Sequence, residues 1–202
     1  MKYILASSSP RRKAMLSIFN LEIESVEHLF DESSITYNGS PEKYCKNISI
    51  GKVNSIIKKY KQHTVISADT IVAIDDQILE KPRDKKEAAG MLESLSGKVH
   101  TVITGTTIMC KAKNINFSFT EKTQVKFNEL DVDIIEYYVD RYQPLDKSGS
   151  YGIQDFSSIF VESIDGCFYN VAGLPLSKFF YHLRRLGLVR FSLNTSNRIN
   201  KL

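Results

Sequence analysis

The chain has 202 residues, of which 42% are hydrophobic and 25% charged, with a formal net charge of +4. It contains no apolar run near the ~20 residues that a membrane-spanning helix needs, and no basic and then apolar N-terminal segment typical of a secretory signal. Its three cysteines are far apart, without metal-ligand spacing, and its basic residues are not clustered with aromatics. We therefore expect a cytoplasmic protein with no membrane partner, better suited to small polyanions than to nucleic acid.

The first stretch of the chain predicts an anion site between a strand and a helix. An apolar run over residues 3–6 is followed by three serines, and Pro10 then suits the first position of a helix that the last serine caps. Arg11 and Arg12 lie in the first turn of this helix, where the helix dipole disfavours cations. An anion on the free N–H groups, enclosed by both guanidiniums, explains this choice. The alternative is a capped helix with two solvated arginines.

A second strand is predicted over residues 21–26, where apolar and polar residues alternate. It leads to Asp31 and Glu32, two carboxylates at a predicted strand end. Acidic residues in such loops are often simply solvated, so this pair alone does not establish a site.

The next helix begins at the pair Ser40-Pro41 and is predicted to continue to about Lys59. Lys52 falls in a row of residues, four apart, that should face the core. Its side chain therefore either extends along the core to reach water or contacts an anion in a cleft.

The most strand-like stretch of the chain is Thr64 to Ile74, and Asp69 interrupts it. An ionised carboxylate inside a buried strand is costly unless it is paired, protonated or bound to a metal. A functional carboxylate is therefore favoured over the alternative, a bulge that exposes Asp69 to water.

The rest of the chain alternates between predicted strands and helices, and a small, polar segment over residues 146–154 suits a backbone that passes close to a ligand. Strands paired by hairpins and interleaved with helices indicate a mixed α/β sheet. The predicted elements are a helix from Asp84 to Gly97, strands over 99–110 and 117–127, a helix from about Asp131 to before Pro144, a strand over 158–164 and a last helix from 173–175 to Gly187.

No phosphate-binding loop of the G-x-x-x-x-G-K-[ST] type, no dinucleotide fingerprint and no H-E-x-x-H motif is present. What remains are isolated cations, which neutralise phosphates, and isolated carboxylates, which hold a divalent cation and position water. These residue types together indicate the hydrolysis of a phosphate ester.

The sequence resembles the Maf family of nucleoside triphosphate pyrophosphatases from about Tyr3 to Leu188. The resemblance implies an elongated mixed α/β fold with a cleft between two lobes, shared with the inosine triphosphate pyrophosphatases. It also implies hydrolysis of a nucleoside triphosphate to the monophosphate and pyrophosphate, dependence on a divalent metal and, often, a homodimer. The motifs that carry it are residues 5–12 (LASSSPRR), the pair Asp31-Glu32, Lys52, residues 67–70 (SADT), 80–83 (EKPR), 96–97 (SG), 104–105 (TG), 151–154 (YGIQ) and 173–175 (GLP).

By this resemblance Asp69 matches the family's proton acceptor, and Arg11, Thr70 and Gln154 match its specificity positions. The proline-arginine-arginine, alanine-aspartate-threonine and glycine-isoleucine-glutamine motifs are those of the subgroup that acts on dTTP and UTP. The chain departs from the family at residues 155–158 (DFSS), where a glycine-rich stretch is usual, so the shape of the base pocket does not follow from the resemblance.

We therefore predict a single domain over residues 1–189 with a polar tail over 190–202, and a pyrophosphatase that clears dTTP and UTP from nucleotide pools. The expected catalytic residues are Glu32, Lys52, Asp69 and Lys81, and the expected substrate-binding residues are Ser7, Ser9, Arg11, Arg12, Thr70 and Gln154. Glu32 and Asp69 are also the expected ligands of Mg²⁺ or Mn²⁺. Two alternatives remain open: a nucleotide- or nucleic-acid-binding regulator of septum formation, and a purine-directed pyrophosphatase.

Overall fold

A computed structural model describes residues 2–75 and 77–189, so the predicted polar tail lies outside the described residues. The described chain contains one seven-stranded sheet in which six strands follow the order β2-β1-β3-β5-β6-β7 and β4 pairs with β3. The strands are β1 (Tyr3–Ala6), β2 (Ile23–Val26), β3 (Thr64–Ile74), β4 (Gln77–Leu79), β5 (Val99–Cys110), β6 (Ile115–Phe127) and β7 (Val161–Asp165).

Strand β1 is parallel to β2 and β3, and every other pairing is antiparallel. Helices flank this sheet, which confirms the predicted mixed α/β architecture. The helices are α1 (Pro10–Ser17), α2 (Pro41–Ile56), α3 (Lys85–Leu95), α4 (Val132–Tyr142), α5 (Phe168–Val171) and α6 (Leu176–Arg185).

Side chains of β3 alternate between the two faces of the sheet, as the period of a strand requires. Ile66 and Ala68 belong to an apolar cluster with α1 and α6. Val72, further along the same face, belongs to a second cluster with α3 and α4. On the opposite face the sheet packs against α2, whose Val53 contributes to a third cluster. The two clusters on the first face therefore lie on either side of the middle of β3.

In the described structure the middle of β3 has a paired strand on only one of its two sides. On one side of β3, β1 pairs with residues 64–66 and β4 with residues 72–74, whereas β5 pairs with residues 65–73 on the other side. Among the described residues, 67–71 therefore have no paired strand on the side of β1 and β4. The gap places residues 69 and 70 beside a cleft between the β1 and β4 flanks of the sheet.

Some predicted elements differ from the observed ones. Residues 156–160 form a 3₁₀ helix, so β7 begins at Val161 and not at 158. Helix α2 ends at Ile56, three residues before its predicted end. The spacing of Ile18 from Met15 predicts that both face the core, but α1 ends at Ser17 and Ile18 is 63% exposed. Among the described residues, no helix has the length and apolarity needed to cross a membrane.

His100 supplies a pH-dependent contribution to stability. Its side chain is 2% exposed and its Nε2 atom lies 2.8 Å from the hydroxyl oxygen of Tyr151. Burial disfavours the imidazolium and lowers the pKa of His100 from 6.5 to about 4. Between these two pH values the unfolded chain binds the proton and the folded chain does not, so the free energy of unfolding falls as the pH falls.

We expect His100→Gln, which does not titrate but keeps a polar atom for Tyr151, to reduce this pH dependence. Between pH 7 and pH 4 the free energy of unfolding of the unmodified protein should fall by about 3 kcal/mol more than that of the variant. Urea unfolding at the two pH values measures this difference. Equal pH dependence of the two proteins would show that His100 titrates normally in the folded state.

Candidate active site

The cleft beside the middle of β3 has a volume of about 630 Å³. Its walls come from the serine loop after β1, the segment before α2, the part of α2 from Tyr44 to Lys52, the residues directly after β4, and residues within 146–154 and 171–173. Every residue that the sequence predicted for the site lines this cleft: Ser7, Ser9, Arg11, Arg12, Glu32, Lys52, Asp69, Thr70, Lys81 and Gln154. The structure thus brings these residues together, while the role of each stays a prediction.

Lys52 links two carboxylates at the inner wall. Its Nζ atom lies 2.7 Å from Oδ1 of Asp69 and 3.1 Å from Oε1 of Glu32, and the residue is only 4% exposed. Lys52 therefore does not extend to the rim of the core to reach water. Its buried charge is compensated by two opposite charges, as the low dielectric of the interior requires.

Asp69 lies in regular strand structure, because the pairing of β3 with β5 continues through it without a shift, with Asp69 opposite Gly105. The alternative of a solvent-exposed bulge is therefore wrong, and Asp69 is 7% exposed. A Cβ on Gly105 would lie 2.6 Å from the backbone of Cys45, so the missing side chain lets α2 approach the sheet. This close approach brings Lys52, two turns further along α2, to Asp69.

Glu32 and its neighbour Asp31 have separate tasks. Asp31 caps a 3₁₀ turn by accepting from the backbone N–H of Ser33 at 3.1 Å. Glu32 faces the cleft, and its pKa is lowered to about 2 by His28 first and then by the charges of Lys52 and Lys81, which together outweigh partial burial. Glu32 is therefore a carboxylate at neutral pH.

Arg12 is held in place from several sides. Its Nε atom donates to the carbonyl of Gly173 at 2.9 Å, and Nη2 donates to the hydroxyl of Thr70 at 3.0 Å. Thr70 in turn lies 2.9 Å from the hydroxyl of Thr104. Burial lowers the pKa of Arg12 and the nearby charge of Asp69 opposes this shift. A guanidinium has five N–H donors, so this fixed side chain keeps donors for a ligand.

Arg11 is arranged differently, since its Nη1 atom forms an ion pair with Asp146 at 3.2 Å. Asp146 is 63% exposed in its side chain and also contacts Lys147 at 2.7 Å. The predicted enclosure of one anion by both arginines is therefore not preformed. Arg11 must leave Asp146, or share it, to contact a phosphate.

Tyr44 and Glu80 are cleft residues that the sequence analysis did not select for the site. The Tyr44 hydroxyl donates to Oε1 of Glu80, and burial, this bond and the charges of Asp69 and Glu32 raise the pKa of Tyr44. The sequence carries a signal for Tyr44, because this residue lies eight positions before Lys52 and therefore on the same face of α2.

Gln154 is exposed and lines the cleft. Within residues 2–75 and 77–189 its side-chain amide makes no hydrogen bond, so no neighbouring group among these residues holds the amide in one orientation.

The carboxylates of the cleft fit a divalent cation that binds together with a phosphate ligand. Mg²⁺ prefers oxygen ligands and typically takes one or two carboxylates, with waters and phosphates completing its shell. Glu32, ionised and 35% exposed in its side chain, and Asp69 offer such oxygens. Among the described residues no group of three His, Cys, Asp or Glu side chains is placed to hold a metal by protein ligands alone.

A cleft with arginines and a serine loop on one side and two lysine-linked carboxylates on the other defines a protein that binds phosphate esters. Comparison with known protein families agrees with this class, because the family model described as Maf-like protein matches residues 2–186. The chain therefore belongs to the Maf family.

Curated relatives cover nearly the whole chain. A dTTP/UTP pyrophosphatase of Clostridium beijerinckii is 43% identical over 187 residues, covering 92% of this chain and 100% of that protein. Proteins with the same description are 43% identical in Thermosipho africanus, over 98% of this chain and 100% of the relative, and 42% identical in Thermotoga maritima, over 93% and 90%.

Two solved structures are similar at a lower level. The Staphylococcus aureus Ham1 protein has a TM-score of 0.46 at 12% identity, over 63% of this chain and 72% of that one. A nucleoside-triphosphatase, or dITP/XTP pyrophosphatase, of Mycobacterium abscessus has a TM-score of 0.45 at 13% identity, over 93% and 97%. Both are too distant to bear on the function of this chain.

Proposed function

We propose that the protein is a hydrolase that converts dTTP and UTP to the monophosphate and pyrophosphate. The observation that carries this proposal is that Lys52 pairs with both Asp69 and Glu32 in the same cleft that Arg12 lines. Relatives at about 40% identity over nearly the whole chain, described as dTTP/UTP pyrophosphatases, support the same substrates. None of these findings favours a regulator of septum formation, and a protein that only binds polyanions gains nothing from carboxylates beside the phosphates.

In the proposed mechanism, Lys52 donates to Oδ1 of Asp69 and so orients this carboxylate. Asp69 takes a proton from a water molecule whose oxygen bonds to the α-phosphorus, while the bond from that phosphorus to the bridging oxygen breaks and pyrophosphate leaves. Arg12 and Lys81 neutralise charge on the phosphates, together with Arg11 once it leaves Asp146. Glu32 and Asp69 would hold a divalent cation, which would supply further positive charge to offset that of the phosphates.

The activity is tested by incubating the protein with Mg²⁺ or Mn²⁺ and a panel of nucleoside triphosphates. Pyrophosphate and orthophosphate are assayed separately. We expect one pyrophosphate per monophosphate formed, and no activity when the cation is chelated. Release of orthophosphate with a diphosphate product would instead identify a phosphatase and contradict the proposal.

Base choice is expected to depend on Gln154. Its amide has both a donor and an acceptor, so it can meet the O4 acceptor and the N3–H donor of uracil or thymine, whereas cytosine presents the reverse pattern. Mispaired buried polar groups reject a base strongly, while the 5-methyl group of thymine is worth only about 1–3 kcal/mol. We therefore expect similar kcat/KM for dTTP and UTP, and much lower values for CTP and the purine triphosphates.

Gln154→Glu removes the donor and should reduce this preference. The measurement is kcat/KM for UTP and CTP in both proteins. Equal values for the two nucleotides in the unmodified protein would exclude the assignment, whatever the variant shows.

Three further points stay predictions. The homodimer that the family resemblance implies can be tested by sedimentation. The cytoplasmic location agrees with three free cysteines, Cys45, Cys110 and Cys167, since disulfides are rare in that compartment. The single domain over residues 1–189 is expected to unfold in one cooperative step.

A further inference from the structure

We propose that Asp155 and Ser157 lock the turn from Gly152 to Ser157 and thereby set the base preference that Gln154 reads. The inference rests on the proposed function, and it concerns the stretch where the chain departs from the glycine-rich pattern usual in its family. The side chains of two of the four residues 155–158, Asp155 and Ser157, form hydrogen bonds that hold this turn in one conformation.

The lock centres on Oδ1 of Asp155. This oxygen accepts from the backbone N–H of Ser157 at 3.0 Å, from the Ser157 hydroxyl at 2.7 Å and from the hydroxyl of Tyr138 at 3.3 Å. The hydroxyl oxygen of Ser157 accepts in turn from the backbone N–H of Gly152 at 2.9 Å. A serine hydroxyl has a single proton, and the short bond to a charged acceptor takes it.

The carbonyl of Gly152 is satisfied from within the same turn, because the backbone N–H of Asp155 donates to it at 2.9 Å. The lock thus joins both ends of the turn, and Ser157 is fully buried at 0% exposure. Little space is left inside, since a Cβ on Gly152 would lie 2.7 Å from Oδ2 of Asp155. These hydrogen bonds are partly buried and several share one charged acceptor, so breaking them is costly and the turn is held in one conformation.

Gln154 lies inside this rigid turn, yet its own amide is exposed and makes no hydrogen bond within the described residues. The fold of the turn sets the position of the Gln154 backbone relative to the cleft, and this position limits which edge of a bound base the amide can reach. A backbone that is fixed before the base arrives has less ordering to do on binding. Asp155 and Ser157 are accordingly positioning residues that act on specificity through Gln154.

The test is the ratio of kcat/KM for UTP to that for CTP, with pyrophosphate as the measured product. We expect Ser157→Ala to lower this ratio about tenfold, within the ~10²-fold that a ~1 Å misplacement costs. A loss of folded protein lowers both values alike and leaves the ratio unchanged. Asp155→Ala should lower the ratio similarly. Because the Asp155 side chain is 29% exposed, this variant replaces Ser157→Ala in the test if Ser157→Ala does not fold.

Two variants serve as controls. Ser158→Ala removes an exposed hydroxyl next to the lock and should keep the ratio within about twofold, within the usual range for surface changes. Asp155→Asn keeps an oxygen that accepts from Ser157 and should largely restore the preference that Asp155→Ala loses.

A double variant tests whether the lock acts through Gln154. Gln154→Ala with Ser157→Ala should show the same ratio as Gln154→Ala alone. A further decrease in the double variant, or a folded Ser157→Ala protein with an unchanged ratio, overturns the inference while leaving the pyrophosphatase activity in place. If the unmodified protein releases no pyrophosphate from UTP, the proposed function itself fails.

Discussion

Asp69→Asn is expected to lower kcat for UTP about 10²- to 10⁴-fold, the usual contribution of a general base. Asparagine has nearly the same shape as aspartate but cannot take the proton of the attacking water. The fold should persist, because the amide oxygen still accepts from Lys52 and Glu32, 3.1 Å from the same ammonium, supplies the compensating charge. KM should change much less than kcat, since the loss falls on the chemical step.

Steady-state kinetics of pyrophosphate release and thermal melting together test this expectation. The matched control is Asp75→Asn at the end of the same strand, where the side chain is 79% exposed and asparagine tolerates the left-handed backbone, with φ of 49°. This control should keep normal turnover. Near-normal turnover of Asp69→Asn would remove Asp69 from the mechanism.

Lys52→Met should damage both activity and stability. Methionine suits an apolar helix face, but removing the ammonium leaves Asp69 buried without its partner at 2.7 Å. Losing one member of a buried ion pair typically costs about 3–5 kcal/mol. We also expect kcat to fall by about 10²-fold or more, because Asp69 loses the donor that orients it.

Lys43→Met provides the comparison for Lys52→Met, because Lys43 lies exposed on the same helix. It should change neither the turnover nor the free energy of unfolding appreciably. If Lys52→Met hydrolyses UTP normally despite a lower melting temperature, Lys52 has a purely structural role.

Sequence patterns predicted most of the architecture, because strands and helices have local periods that single residues report. The strand from Thr64 to Ile74 was placed with both ends correct, and the caps Ser9, Ser40 and Asp84 begin α1, α2 and α3 as expected. One error has a local cause. Residues 158–160 are predicted as the start of a strand, but the Asp155 side chain accepts from the backbone N–H of Ser157 and caps a 3₁₀ helix over residues 156–160.

The sequence by itself determined several of the candidate site residues. Three of its features are unfavourable in their local setting: an aspartate in an apolar strand, a lysine on a core-facing row of a helix, and arginines in the first turn of a helix. Together they indicate that these charged side chains contact one another or a common ligand. Only the tertiary structure decided which charges meet. Gly105 lets α2 approach the sheet so that Lys52 joins Asp69 to Glu32, and Arg11 turns to Asp146, 135 positions away. Such pairings depend on distances between elements remote in sequence, which no local period encodes.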